Sequence, residues 1–146
     1  MFSQYRPIKT IKQGGNSLKV VLLENKKGHK IIMKQYDSNK SAHRESFNRE
    51  IKILTKLKSY KFVPKLIHID HNNFTFYETY CGTAIPNTYP DYNKKIIERT
   101  KELYEKYGLK YMKDGKQQLT VYWKNYCILD NEIYMVDFGS SKWFGF

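Results

Sequence analysis

Residues 123–139 read WKNYCILDNEIYMVDFG. Two apolar runs in this stretch, YCIL (126–129) and EIYMV (132–136), flank Asp130-Asn131 in the pattern of a short hairpin. The hairpin delivers Asp137-Phe138-Gly139 at its end. Asn125 stands directly before its first strand, twelve residues ahead of Asp137. An amide and a carboxylate brought together in this way suit a hard cation that carries phosphates. The DFG tripeptide alone occurs by chance; after that hairpin, and with Asn at that spacing, it is much more specific.

Toward the N-terminus, Asp91 is placed to cap a helix running to about Tyr107, with Gly108 as its terminating residue. Ile96, Ile97, Leu103, Tyr104 and Tyr107 supply its apolar face. Residues 82–90 read as a loop. Before it, KLIHID (65–70) and FTFYETY (74–80) form two strands around Asp70-His71-Asn72-Asn73. The preceding stretch, SAHRESFNREIKILTKLKSY (41–60), places Phe47, Ile51, Leu54 and Leu57 at helical steps, with Ser41 as its N-cap. Residues 7–13, 18–24 and 29–36 read as a meander of three antiparallel strands. The expected fold class is α+β.

The 146 residues hold 26 Lys plus Arg against 14 Asp plus Glu, a formal net charge of +12. That length suggests one domain with a real core. With 40 % hydrophobic and 16 % aromatic residues, disorder is not expected. No run reaches about 18 apolar residues, the length of a membrane-spanning helix. The N-terminus MFSQYRPIKTIKQ lacks the apolar segment of a secretory signal. Cys81 and Cys127 are too few for a disulfide framework or a standalone zinc site. An intracellular, cytoplasmic or nuclear protein without a membrane partner is expected. Only four of the cations are Arg (Arg6, Arg44, Arg49, Arg99). Lys dominance fits a general anion-attracting field better than base-specific DNA reading.

Three more features join the hairpin. Gln13-Gly14-Gly15-Asn16-Ser17-Leu18 is a glycine turn whose backbone could approach phosphates, although such turns are common for their own sake. Lys34 lies within IIMK, an apolar strand, where a buried ammonium needs a partner. Glu50 sits among Phe47, Ile51 and Leu54, at the edge of the helix's buried stripe, within reach of Lys34.

In this order the motifs resemble those of the eukaryotic-type protein kinase family, over residues 7–139. IIMK is similar to the family's V-A-I-K strand, which implies that Lys34 contacts the nucleotide phosphates. FNREIKIL resembles its αC-type helix, which makes Glu50 the partner of Lys34. YETYCG resembles the hinge that receives adenine, with Tyr77 as gatekeeper and Glu78 to Cys81, including Tyr80, offering backbone groups. The resemblance also implies contact from Gly14, Gly15 and Val20, and Mg²⁺ held by Asn125 and Asp137, with ATP as the nucleotide. The implied architecture is a five-stranded antiparallel small lobe with its helix over residues 1–82. Residues 83–146 would then form a truncated, mostly helical large lobe that ends just after DFG.

The departures bear on catalysis. Counted back from Asn125, the family's H-R-D falls on Gln118-Leu119-Thr120, so Thr120 stands where the catalytic Asp belongs. Threonine does not accept a proton from a hydroxyl at neutral pH. Gln13 and Leu18 replace two loop glycines, and the end at Phe146 leaves no room for a peptide-docking platform. The expectation is an ATP- and Mg²⁺-binding kinase-like protein, either a minimal Ser/Thr-type phosphotransferase or a catalytically impaired pseudokinase. Lys124 is a further candidate phosphate contact. Asp114 lies too far from Asn125 to match the motif, and His68 and His71 read as packing and turn residues. The alternative is a basic nucleic-acid-binding or regulatory module, motivated by the charge and the abundant Tyr. A protein partner or a homodimer could cover the truncated lobe, with the aromatic tail Trp143-Phe144-Gly145-Phe146 either at that contact or folded back.

Overall fold

Short apolar runs bounded by polar residues, VVLL (20–23) and IIM (31–33), form strands of an antiparallel sheet. A computed structural model describes residues 2–15, 17–86, 89, 91–121 and 123–146. Asn16 of the glycine turn and Asn87, Thr88 and Pro90 of the expected loop lie outside the described residues. Strands β1 (Arg6–Gln13), β2 (Lys19–Glu24), β3 (Lys30–Gln35), β4 (Leu66–Asp70) and β5 (Thr75–Thr79) form one sheet in the order β1-β2-β3-β5-β4. Successive side chains take opposite faces. The outer face carries Val21, Leu23 and Ile31 under Phe2, Tyr5, Met33 and Tyr77. The inner face carries Val20, Leu22, Ile32, Lys34, Phe76 and Glu78, as their cross-strand pairing requires.

Helix α1 (Ser41–Lys56) lies on that inner face. Its buried stripe is His43, Phe47, Glu50, Ile53 and Leu54, continued by Leu57 after the helix. Glu50 is therefore central to the stripe instead of at its edge, and Ile51 is only half-buried. Ser41 is the first helical residue, not the cap. Lys40 holds the cap position in extended conformation, and no side chain caps the helix. The helix also stops earlier than Tyr60. The Lys65 ammonium, arriving with the next strand, donates to the carbonyls of Leu57, the C-cap residue, and of Tyr60 beyond it.

Helix α2 (Tyr92–Tyr107) begins and ends where expected. Gly108 takes the left-handed conformation (φ 69°), as a C-terminal glycine should. Asp91 also has positive φ and makes no side-chain cap bond. The face of α2 differs from expectation: Ile96, Arg99, Thr100 and Leu103 are buried, while Tyr104 is 42 % exposed. Two polar residues go inside because each finds partners there, as buried polar groups must.

Residues 83–146 are not mostly helical. Apart from α2 and a 3-10 turn (Trp123–Asn125), their described elements are short strands: β6 (Thr83–Ala84), β7 (Lys110–Lys113), β8 (Lys116–Gln117), β9 (Tyr126–Leu129), β10 (Glu132–Met135) and β11 (Trp143–Phe144). They form two three-stranded sheets, β10-β9-β6 and β11-β7-β8. Their tight turns explain the departure. Asp130-Asn131 and Asp114-Gly115 both adopt consecutive positive φ, the geometry that closes two-residue hairpins. Asp114 is thereby an exposed turn residue. The aromatic tail folds back: β11 pairs with β7, and Trp143 packs on Tyr111 and Phe138 with 1 % exposure.

One hydrophobic core joins both segments, running from Phe47, Leu57 and Phe76 to Leu103, Tyr126 and Phe138. Among the described residues, no helix is long and apolar enough to cross a membrane. The architecture is mixed α and β, with two helices and antiparallel sheets.

Candidate functional site

Lys34 lies on the inner face of β3, opposite Phe76, and is 6 % exposed. A buried ammonium is tolerated only with acceptors around it. Its Nζ lies 2.5 Å from Glu50 Oε1 on α1 and donates to the Val136 carbonyl at 3.0 Å. Glu78 Oε1, from β5, is 3.7 Å away. Burial disfavours charge on Lys34, but Glu50, Glu78 and Asp137 together overcome it and raise its pKa.

Glu50 is fully buried and uses both oxygens. Oε1 meets Lys34, and Oε2 accepts the Phe138 N–H at 3.0 Å. Arg49, its neighbour, donates to the Gly139 carbonyl at 2.6 Å. The segment 136–139 is therefore strapped to β3 and α1 by Lys34, Glu50 and Arg49. A Cβ on Gly139 would stand 3.4 Å from Glu50 Oε2, in van der Waals contact with it.

Asp137 follows β10. Its Oδ1 accepts the N–H of Gly139 at 3.2 Å, and its Oδ2 lies 3.9 Å from Lys12 Nζ. Burial pushes its carboxyl up, but Lys34, Lys12 and the Gly139 N–H outweigh that and hold it below the ordinary value. Asn125 ends the 3-10 turn, and its carbonyl accepts the Val136 N–H at 2.8 Å. The hairpin thus sets Asn125 across from the residue preceding Asp137.

Lys34, Glu78 and Val136 border a cavity of about 520 Å³ between the sheet and the β9 hairpin, while Glu50, Asn125 and Asp137 stand behind its lining. Val20, Leu22 and Ile32 form its apolar wall, with Lys34 and Glu78 at one end and Tyr80 by the β5–β6 connection. A pocket of this volume with an apolar wall and a few charged groups is what a small-molecule ligand requires. Gly14 and Gly15 sit at the β1–β2 turn with φ of 91° and 76°. Gly14 N–H donates to Leu18, and Gly15 is fixed to α1 through its carbonyl. That bond comes from His43: its Nδ1 accepts the Asp37 N–H at 2.9 Å, so its proton is on Nε2, 3.0 Å from the Gly15 oxygen.

The structure therefore brings Lys34, Glu50 and Asp137 together and sets the backbone of Asn125 beside Val136, with Val20, Glu78 and Tyr80 on the cavity. Tyr77 is elsewhere. Strand alternation turns it to the outer face, where its ring stacks on Phe2 at 4.4 Å. Glu78 occupies the inner position next to it, with a buried side chain instead of only backbone groups. Its Oε2 has no hydrogen-bond partner in the described structure, and burial raises its carboxyl to about 8. Burial likewise lifts Glu50, to about 7, against the pull of Lys34. One ammonium thus faces two sealed carboxylates.

Thr120 is exposed, in the coil before Val121. Lys124, Cys81 and Cys127 also line the cavity. Burial raises the thiols to about 12 and about 11, which keeps both protonated. His68 packs near Phe2 and Tyr77, and His71 meets the edge of Phe47.

The sequence reading missed the side chain of Glu78, Arg49 and the two β1 lysines on the cavity, Lys9 and Lys12. Glu78 left a signal: it lies two residues from Phe76, so the strand period puts both on one face. No protein-family model matches the chain, and no curated protein matches it.

Proposed function

We propose that the chain is a protein-kinase-like nucleotide-binding protein that takes ATP in the cavity, with phosphoryl transfer slow or absent. The observation that carries this reading is the buried Lys34–Glu50 pair, 2.5 Å long, joining β3 to α1 at the end of the cavity. Lys34 would meet the phosphates, because it is the buried cation that borders the apolar wall. Glu50 and the Val136 carbonyl hold its ammonium in place, which lowers the ordering cost of binding. Val20, Leu22 and Ile32 offer a flat apolar slot for a base, and Tyr80 borders it.

Asn125 and Asp137 offer an amide and a carboxylate, hard oxygen donors that suit Mg²⁺ when phosphates and water complete its shell. The ion would neutralise charge on the phosphates. Arg49 and Glu50 keep the Asp137 segment against α1. Thr120, exposed and not basic, supports weak catalysis: a hydroxyl acceptor would find no base at that position.

Thermal unfolding with ATP and magnesium tests the reading. The wild-type chain should melt higher in saturating Mg-ATP, since a ligand that binds only the folded state stabilises it. Asp137→Asn should lose the magnesium-dependent part of that shift. A wild-type melting curve unmoved by Mg-ATP would sink the proposal.

A further inference from the structure

Strand β1 pairs with β2 in an irregular register. Pro7 faces Leu23 and Lys9 faces Leu22, which leaves Ile8 as an extra residue. Thr10 faces Val21 and Lys12 faces Val20, which leaves Ile11 as a second. Each extra residue is a β-bulge. In a regular strand, residues three apart point to opposite faces. The bulge at Ile11 cancels one step, so Lys9 and Lys12 both stand opposite cavity residues, Leu22 and Val20. Bulges commonly re-aim side chains beside functional sites.

Lys12 makes the fuller use of this position. Its Nζ is 3.9 Å from Asp137 Oδ2. Its Cε lies 3.3 Å from where a Cβ on Gly15 would stand, so the side chain passes close beneath the glycine turn. The Lys12 side chain is 44 % exposed, so the pair is open to a ligand. Lys9, Lys34 and Lys124 line the same cavity. An ammonium at Oδ2 competes with any divalent cation for that oxygen, because like charges repel there. Ammonium groups are themselves good phosphate partners, acting as point charges.

We propose that Lys12, turned inward by the bulge at Ile11, is a polyphosphate-binding residue. It supplies at Asp137 the positive charge that a divalent cation would otherwise bring, so a triphosphate is held with or without metal. The identity of the ligand as a nucleotide rests on the reading above. The anion site rests on the bulge, the ion pair and the four lysines.

Calorimetry on the full chain separates the two. ATP and inorganic tripolyphosphate are titrated, with excess magnesium and with EDTA, into wild type, Lys12→Met and Lys12→Arg. In the wild type, removing the metal should change ATP affinity by less than about tenfold. Lys12→Met should weaken metal-free binding of both probes by at least about tenfold, the loss of one charge-assisted contact, and Lys12→Arg should retain most of it. Tripolyphosphate binding that depends on Lys12, without binding of ATP, upholds the anion site and overturns the nucleotide reading. Metal-free affinities equal in Lys12→Met and wild type overturn the proposal. So does a wild type that loses more than about tenfold on chelation. Binding of neither probe overturns both.

Discussion

Among the described residues, two buried cations, Arg99 and Lys34, divide the molecule between them. Arg99 on α2 is 4 % exposed, and Lys34 on β3 is 6 % exposed. Arg99 is matched. Its Nε donates to the Ile133 carbonyl at 3.1 Å, Glu132 and Glu102 lie at 3.1 and 3.5 Å, and its guanidinium is 3.4 Å from the Phe62 ring centroid. Both of those carboxylates reach solvent, with 43 % and 27 % side-chain exposure. Lys34 is oversupplied with negative charge. Glu50 and Glu78 are sealed beside it at 0 % and 3 %, and Glu78 Oε2 has no partner in the described structure. A matched cation surrounded by chain is a staple. A cation with surplus buried carboxylate, bordering a cavity, is costly to fold, and that cost supports the site proposed above.

The sharpest way to break the comparison is at the staple. Arg99→Ala would remove the stacking on Phe62 and the bond to Ile133, and should cost about 3 kcal/mol of stability at any neutral pH. Urea titration reads it; a loss well under half of that would deny Arg99 its structural role.

Lys34→Met should behave differently. Glu50 and Glu78 already sit at about 7 and about 8, raised first by burial and pulled down by Lys34. Without Lys34 both rise further. A carboxyl with a raised folded-state pKa binds its proton more tightly folded than unfolded. Its stabilising effect is present at acid pH and is lost as pH climbs through the folded value. The variant should therefore match the wild type at pH 5 and fall about 2 kcal/mol below it at pH 8. An equal loss at both pH values would mean that Lys34, like Arg99, is only a staple.

The smallest effect is Glu78→Gln. The wild type should lose stability between about pH 5 and 8, with a slope of at most about 1.4 kcal/mol per pH unit for each proton released. Removing Glu78 should flatten that slope and leave the variant more stable than the wild type at pH 8. Parallel curves for variant and wild type would place the surplus charge elsewhere.

Much of the fold was legible because it is written in local periodicity. The five strands of the first sheet, both helices and the YCIL–EIYMV hairpin are short-range patterns, and their positions followed from spacing and turn residues. What failed was decided at longer range. The chain just past the end of α1 is held by Lys65, which arrives from outside the helix. The buried face of α2 includes Arg99 because Phe62, Glu132 and Ile133 surround it. β7, β8 and β11 are too short to show a period, and β11 exists through its pairing with β7 alone.

The site divides in the same way. Lys34, Glu50, Asn125 and Asp137 were named because each stands in a spaced motif. Tyr77 was placed on the wrong side of β5, though strand alternation alone would have exchanged it for Glu78. Lys9 and Lys12 were not visible at all: a bulge leaves the sequence looking like an ordinary strand while shifting which face each side chain takes.

The sequence by itself determined which residues carry charge inside apolar segments, and so which would need partners. Only the tertiary structure decided who those partners are. Partnership between β1, β3, α1, β5 and the residues after β10 depends on register and distance across the fold. Those are set by packing of the whole core, which no local spacing contains.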